Sequence, residues 1–249
     1  MIRALRRFLS ARHGRVVEAG IAVGGLLAYN LVRARHRANH DDAVANARRI
    51  ARVERDAGLL VEPGVQRLLV RGPVSRSVLG AAYIATQVVA LPWALRTAFN
   101  RRLPEYPALR TMALISWAAG VAWYARRPVA PPRMLPELGV EDSVSRGFIP
   151  MDSPLLRHLY NPYAAMPSLH VGMSPVVAWT MWAGTTNPAL RAVAVAYPPA
   201  VAATVVATGQ HFIADIAGGI AVVLPAWAIA RRITGAGRSA ASAALTREP

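Results

Sequence analysis

The chain has 249 residues, no cysteine and a formal charge of +16 at pH 7, and 54% of it is apolar. The missing cysteines exclude disulfides and thiolate metal sites, and apolar runs separated by charged blocks exclude an ordinary soluble domain. Every basic side chain is arginine, and between apolar runs such an excess belongs to juxtamembrane segments facing anionic head groups rather than to a nucleic-acid binder.

A membrane-crossing helix needs ~20 predominantly apolar residues. Residues 16–32 are a short, glycine-bearing first candidate that contains Glu18, so the segment either crosses or lies in the interface. A signal peptide is the competing reading, but no small-residue cleavage site stands out before Arg33, and the segment is kept in the mature chain. Residues 33–73 are polar, with mixed charge. Asp41 is placed to cap a helix in which Val44, Ala47, Ile50 and Ala51 share one face while Arg48, Arg49, Arg52 and Arg55 turn elsewhere. This reads either as an interfacial helix or as a solvated helix or linker.

Residues 77–95 lie between Arg76 and Arg96, interrupted only by Gln87 and small hydroxyls. Residues 111–125 follow Arg110, whose stem can snorkel, and carry Trp117, Trp123 and Tyr124 as interfacial anchors. Residues 171–184, 192–207 and 212–230 complete six candidates. Prolines at 92, 175, 198, 199 and 225 would break soluble helices, yet spans tolerate them where neighbours satisfy the freed carbonyls. From Thr234 the chain is rich in Ala, Ser, Gly and Arg without periodicity, the composition of a disordered tail. The expected architecture is all-α, a multi-pass transmembrane helical bundle of about six spans. Residues 1–75 are a candidate span plus a basic amphipathic segment, 76–232 a catalytic bundle and 233–249 a tail.

If the spans alternate in direction, the exit of the third and the starts of the fourth and sixth fall on one face. Three short elements meet there: Pro131-Pro132-Arg133, Pro167-Ser168-Leu169-His170, and the run from Gln210 through His211 to Asp215. Helix positions four apart share a face, so Asp215 is placed to accept a hydrogen bond from His211, fixing the tautomer and leaving the other nitrogen as nucleophile or base. Asp215 is also the only acidic residue well inside the last five candidate spans, and an intramembrane carboxylate is by default a functional-site hypothesis. Pro167 suits a first helical turn, where Ser168 and Leu169 would offer backbone donors to phosphate. His170 can protonate a departing oxygen, and Arg133 can clamp phosphate oxygens. The plainer readings stand beside these. A histidine near a span end is commonly interfacial, Arg133 can be a snorkelling anchor, and Gly218-Gly219 suits close helix packing. Two histidines and a carboxylate can also ligate a metal, with Asp152 and His158 the only further ligands nearby.

These motifs resemble the type 2 phosphatidic acid phosphatase superfamily, and within it the inositol phosphorylceramide synthase-like branch. The family's second motif is Pro-Ser-Gly-His, and that branch commonly replaces the glycine, as Leu169 does. The third motif ends in His-x-x-x-Asp, matched by His211 and Asp215. The resemblance implies that His211 forms a phosphohistidine, Asp215 orients it, His170 protonates the leaving group, and neither metal nor other cofactor is needed. The family's first-motif lysine has no counterpart in this lysine-free chain, and Thr204-Val205 stand where its third motif has Ser-Arg. Arg133 is the nearest carry-over, from a Pro-Pro-Arg element of that branch, and Arg126 and Arg127 could supply remaining charge. Fewer cations suit a phosphodiester over a doubly charged monoester, which favours inositol-phosphate-type head-group transfer.

The implied partners are a phospholipid or prenyl-phosphate substrate and a polyol or lipid hydroxyl acceptor, with no nucleic acid. An isoprenoid or phosphatidate monoester phosphatase is the alternative within the fold, and a catalytically inactive lipid-binding or scaffold protein the alternative outside it. Arginines in short segments near the spans (residues 3–15, 96–110 and 231–232) favour termini inside, with the site facing outward across the plasma membrane.

Overall fold

The computed structural model describes residues 2–35, 39–147 and 161–235. Asp152, His158 and nearly all of the tail fall outside the described residues. The helices are α1 (Ile2–Ser10), α2 (Arg15–Arg35), α3 (His40–Asp56), α4 (Glu62–Leu69), α5 (Pro73–Ala85), α6 (Leu91–Asn100), α7 (Tyr106–Arg126), α8 (Leu169–Ala183), α9 (Pro188–Ala207) and α10 (Ile213–Thr234). A π-helical turn, Thr86–Ala90, joins α5 to α6 in one rod. The described residues contain no strand, only a single parallel bridge between Val129 and Ala164, so the chain is all-α.

Among the described residues three helices are long and apolar enough to cross a membrane: the rod Pro73–Asn100, Pro188–Ala207 and Ile213–Thr234. Their outward faces carry Val78, Val88, Val195 and Leu224, each more than half exposed, which is the inverse of a soluble surface and suits contact with lipid. Prolines sit inside α8, α9 and α10 as the sequence suggests, and one is compensated locally. Pro175 cannot donate to the Val171 carbonyl, and the Ser174 hydroxyl does so instead at 2.7 Å.

Contacts between helix ends fix the order. At one end, called basal here, Arg6 donates to the Ile233 carbonyl of α10 at 3.2 Å, Arg12 to the Phe99 carbonyl in the last turn of α6 and the Leu103 carbonyl just after it, and Arg101 to the Gly184 carbonyl after α8 at 3.0 Å. These are helix C-termini, whose unpaired carbonyls and negative dipole ends attract guanidinium groups. At the opposite, apical end, the Tyr124 hydroxyl of α7 donates to the Pro167 carbonyl before α8 at 2.7 Å.

The first candidate span is held by charge. Arg110 Nη1 lies 2.5 Å from Glu18 Oε1, and the Tyr106 hydroxyl donates to Glu18 Oε2 at 2.6 Å. Seven residues further along both helices, a Cβ on Gly25 would lie 3.2 Å from the Trp117 ring. Between these two contacts α2 therefore runs parallel to α7.

The segment 39–69 departs from the expectation of an interfacial helix or linker. α3 begins at His40, so Asn39, not Asp41, is its cap and accepts from the Asp41 amide at 3.0 Å. Ala43, Ala47 and Ala51 are buried against Leu135, Ala165 and Phe212. The apolar face meets protein because the loops after α7 and before α8 rise to cover it. On α4, Gln66 donates to the Glu141 and Ala207 carbonyls, each at 2.9 Å, tying the 140s loop to the end of α9.

Breaking the Glu18 to Arg110 pair leaves a buried charge unpaired, which costs about 3–5 kcal/mol. Glu18→Ala and Arg110→Ala are each expected to lower the melting temperature in detergent sharply, with the double variant losing less than the sum. Strict additivity would show that the pair does not hold α2.

Candidate active site

The apical end gathers the starts of α8 and α10 and the loop after α7. The Val129 amide donates to Tyr163 O at 2.9 Å, the Ala165 amide to Val129 O at 3.2 Å, and the Arg133 amide to Gly209 O at 3.1 Å. The three elements singled out in the sequence are thus stitched together by backbone. Gly209, at φ +74, makes the turn between α9 and His211, and a Cβ there would collide with the Glu141 carbonyl. Gly219 lets α10 approach the Ser168 carbonyl more closely than any Cβ would allow, the close packing expected of Gly218-Gly219.

His211 is 3% exposed. Its Nδ1 lies 2.8 Å from the Ala165 carbonyl and 3.4 Å from Asp215 Oδ2. A carbonyl only accepts, so Nδ1 carries the proton and Nε2 presents a lone pair. Nε2 has no hydrogen-bond partner among the described residues. The sequence assigned the orienting role to Asp215 alone. In the structure the nearer acceptor is Ala165, because Asp215 Oδ2 also accepts from the Phe212 amide at 2.8 Å. His170, in the first turn of α8, has its ring centroid 5.6 Å from that of His211 and stacks on Tyr83 at 4.4 Å.

The phosphate-binding candidates are placed unevenly. The Ser168 amide is spent on the Asp215 carbonyl at 2.9 Å, so the expected backbone donor at Ser168 is occupied. Its buried hydroxyl has no partner among the described residues. Leu169 is buried and packs on Gly120. Arg133 is 6% exposed and its Nε donates to Asp142 Oδ2 at 2.9 Å. Burial would raise the Asp142 carboxyl, but the Arg133 guanidinium and the Ser145 amide outweigh it and hold the group below its ordinary value. Gln210 Nε2 donates to the same carboxylate at 3.2 Å. Arg126 and Arg127 are exposed at the end of α7.

Sequence reasoning missed Glu54 and Glu62, both buried. Glu54 Oε1 accepts from the Ala214 amide at 2.6 Å and Glu62 Oε1 from the Ile213 amide at 3.1 Å. With Asp215 on Phe212, three successive amides at the start of α10 each hold a carboxylate. The only signal lay in α3, where Glu54 continues the face of Ala43, Ala47 and Ala51 at helical spacing. Tyr83 carried no signal, since an aromatic in an apolar span reads as packing. Among the described residues no three His, Asp or Glu side chains converge as a metal-ligand set.

A family model described as the PAP2 superfamily matches residues 48–229. Comparison with curated proteins and with solved structures gives no match.

Burial, with the Glu62 and Asp215 carboxylates adding, pushes Glu54 up to about 8 against the favourable Ala214 amide. Glu54 then keeps its proton in the folded chain but loses it in the unfolded chain between its ordinary value of 4.5 and about 8. The folded state binds more protons in that window, so stability falls as pH rises through it and levels off above. Glu54→Gln, which mimics the protonated acid, is expected to flatten the fall in melting temperature between pH 5 and 8. An unchanged slope would assign the dependence elsewhere.

Proposed function

Because this chain belongs to the PAP2 superfamily, whose members are phosphatases and phosphotransferases, we propose that it is a membrane lipid phosphotransferase or phosphatase working through a phosphohistidine on His211. The observation that carries this reading is the His211 ring, whose protonated Nδ1 faces the Ala165 carbonyl while Nε2 stands unpartnered among the described residues, beside His170.

In the first half-reaction Nε2 attacks phosphorus, the N–P bond forms and the bond to the leaving oxygen breaks. His170, which takes up a proton as the anionic phosphate binds beside it, gives that oxygen its proton. The His211 ring becomes positive while Nδ1 keeps its proton and donates it to the Ala165 carbonyl, with Asp215 beside it, and these acceptors stabilise the charge as Asp does in a catalytic triad. In the second half-reaction neutral His170 takes a proton from water or an acceptor hydroxyl, which attacks phosphorus and frees Nε2.

Phosphate oxygens fall to the Ser168 hydroxyl, the Leu169 end of α8 and the guanidinium of Arg133, with Arg126 and Arg127 at the mouth. The first amides of α10 do not join them, since carboxylates already hold them. A donor set this lean suits the single charge of a phosphodiester, so transfer of an inositol-phosphate-type head group between lipid and hydroxyl acceptor is the favoured activity. In this reading α2, the α5–α6 rod, α7, α8, α9 and α10 all cross the membrane, the arginines near the basal helix ends favour termini inside, and the site faces outward across the plasma membrane.

His211→Ala and His170→Ala are each expected to lower turnover on a phospholipid panel by at least ~10²-fold, the lower range for one acid–base group, while leaving the protein folded in detergent. Activity is expected to persist in excess chelator, and new lipid products with added inositol are expected to exceed free phosphate. Near-normal turnover by either variant sinks the mechanism, and loss in chelator reversed by a divalent metal restores the metal alternative. For orientation, cysteines replacing exposed Asp42 at the apical end and Thr186 at the basal end are to be probed with an impermeant reagent in intact cells. Labelling of 42 alone is expected, and labelling of 186 alone reverses the assignment.

A further inference from the structure

A cavity of about 610 Å³ lies between α2, the α5–α6 rod, α7 and the start of α8, within the range of ligand sites. Its polarity is graded. The basal rim carries Arg15, Arg96 and Asn100, and the wall is built from side chains such as Ile21, Leu91, Leu95 and Leu114, with Gln87 of the π-helical turn among them. The inner end is closed by Trp117, Leu169 and Met173.

The rim is positive. Glu18, which also lines it, has both oxygens committed, one to Arg110 and one to the Tyr106 hydroxyl. Arg15 and Arg96 are exposed, and neither guanidinium makes a hydrogen bond or ion pair with a described residue. Basic pockets between membrane helices attract anionic head groups, and an apolar cleft beneath one matches a hydrocarbon chain.

We propose that this cavity holds one chain of an anionic phospholipid drawn from the basal leaflet, its head group on Arg15 and Arg96 and its chain end against Leu169. The site is separate from the one that does the chemistry and does not depend on the phosphohistidine reading. A substrate chain entering from the apical end would put its methyl terminus on the arginine rim, whereas a basal lipid places charge on charge and methyl on Leu169 and Met173. Leu169 directly precedes His170, so an occupied cavity braces the helix end that carries the proposed acid.

The test uses the full-length protein in phosphatidylcholine nanodiscs containing traces of phosphatidylglycerol or phosphatidylcholine with a photoreactive group at the chain end, and maps adducts by peptide mass spectrometry. The phosphatidylglycerol probe is expected to mark Trp117, Leu169 or Met173 in preference to outward-facing residues such as Val88. The combined Arg15→Gln and Arg96→Gln substitutions are expected to weaken that labelling by roughly fivefold for each arginine removed, and Ala22→Phe, which fills the cleft, to abolish it. Should the Ala22 variant not fold, the charge variant alone decides. Equal labelling by the two probes, unaffected by loss of the arginines, would mark ordinary surrounding lipid and overturn the proposal. Labelling lost in Arg133→Ala but kept without Arg15 and Arg96 would mark the substrate's own chain and overturn it equally.

Discussion

The start of α10 is the constraint on which the rest of the apical end depends. A helix N-terminus leaves its first amides unpaired and carries a partial positive charge, and here Asp215, Glu62 and Glu54 take the amides of Phe212, Ile213 and Ala214 in turn. Only Asp215 belongs to α10 itself. Glu54 and Glu62 come from α3 and α4, so these two helices outside the apolar rods clamp the start of α10, two and three residues beyond His211. Three buried carboxylates at one helix end repel one another, and the proton retained on Glu54 relieves that repulsion. The clamp also leaves the leading amides of α10 filled, so in the proposed reaction phosphate is met from the α8 side and by arginine.

The two ends of the bundle obey the same electrostatics with opposite signs. Carboxylates occupy the N-terminus of α10 at the apical end, while Arg6, Arg12 and Arg101 occupy carbonyls at the C-terminal ends of α10, α6 and α8 at the basal end. Arg110 and Glu18 add a buried pair that draws α2 alongside α7. An all-arginine chain suits this use, because a guanidinium stays charged when desolvated and spreads its donors over several carbonyls.

The parts of the site carried by local spacing were legible in the sequence. His211 and Asp215 four apart, the Pro167-Ser168-Leu169-His170 turn and the Pro131-Pro132-Arg133 turn are short patterns, and simple alternation of spans brings them to one face. What escaped was set by long-range packing. The Ala165 carbonyl is an anonymous backbone group until the fold brings it to His211. Glu54 and Glu62 sit in a stretch whose mixed charge resembles a solvated helix, and nothing local tells a carboxylate that caps a distant helix from one that faces water. Arg133 was legible as an apical cation, but its pairing with Asp142 depends on the 140s loop folding back beneath it.

The proposed covalent chemistry at His211 is position-specific, because the tautomer fixed by the Ala165 carbonyl leaves Nε2 to attack. The most direct measurement is to quench the enzyme at a few milliseconds to seconds of turnover on a head-group-labelled phospholipid, hold it at alkaline pH, where phosphohistidine survives, and map the phosphate by peptide mass spectrometry. Phosphate is expected on His211, attached at Nε2, lost in His211→Ala and discharged on adding the acceptor. Turnover that proceeds with no phosphohistidine at any time point, or with phosphate carried by His170 instead, would contradict it.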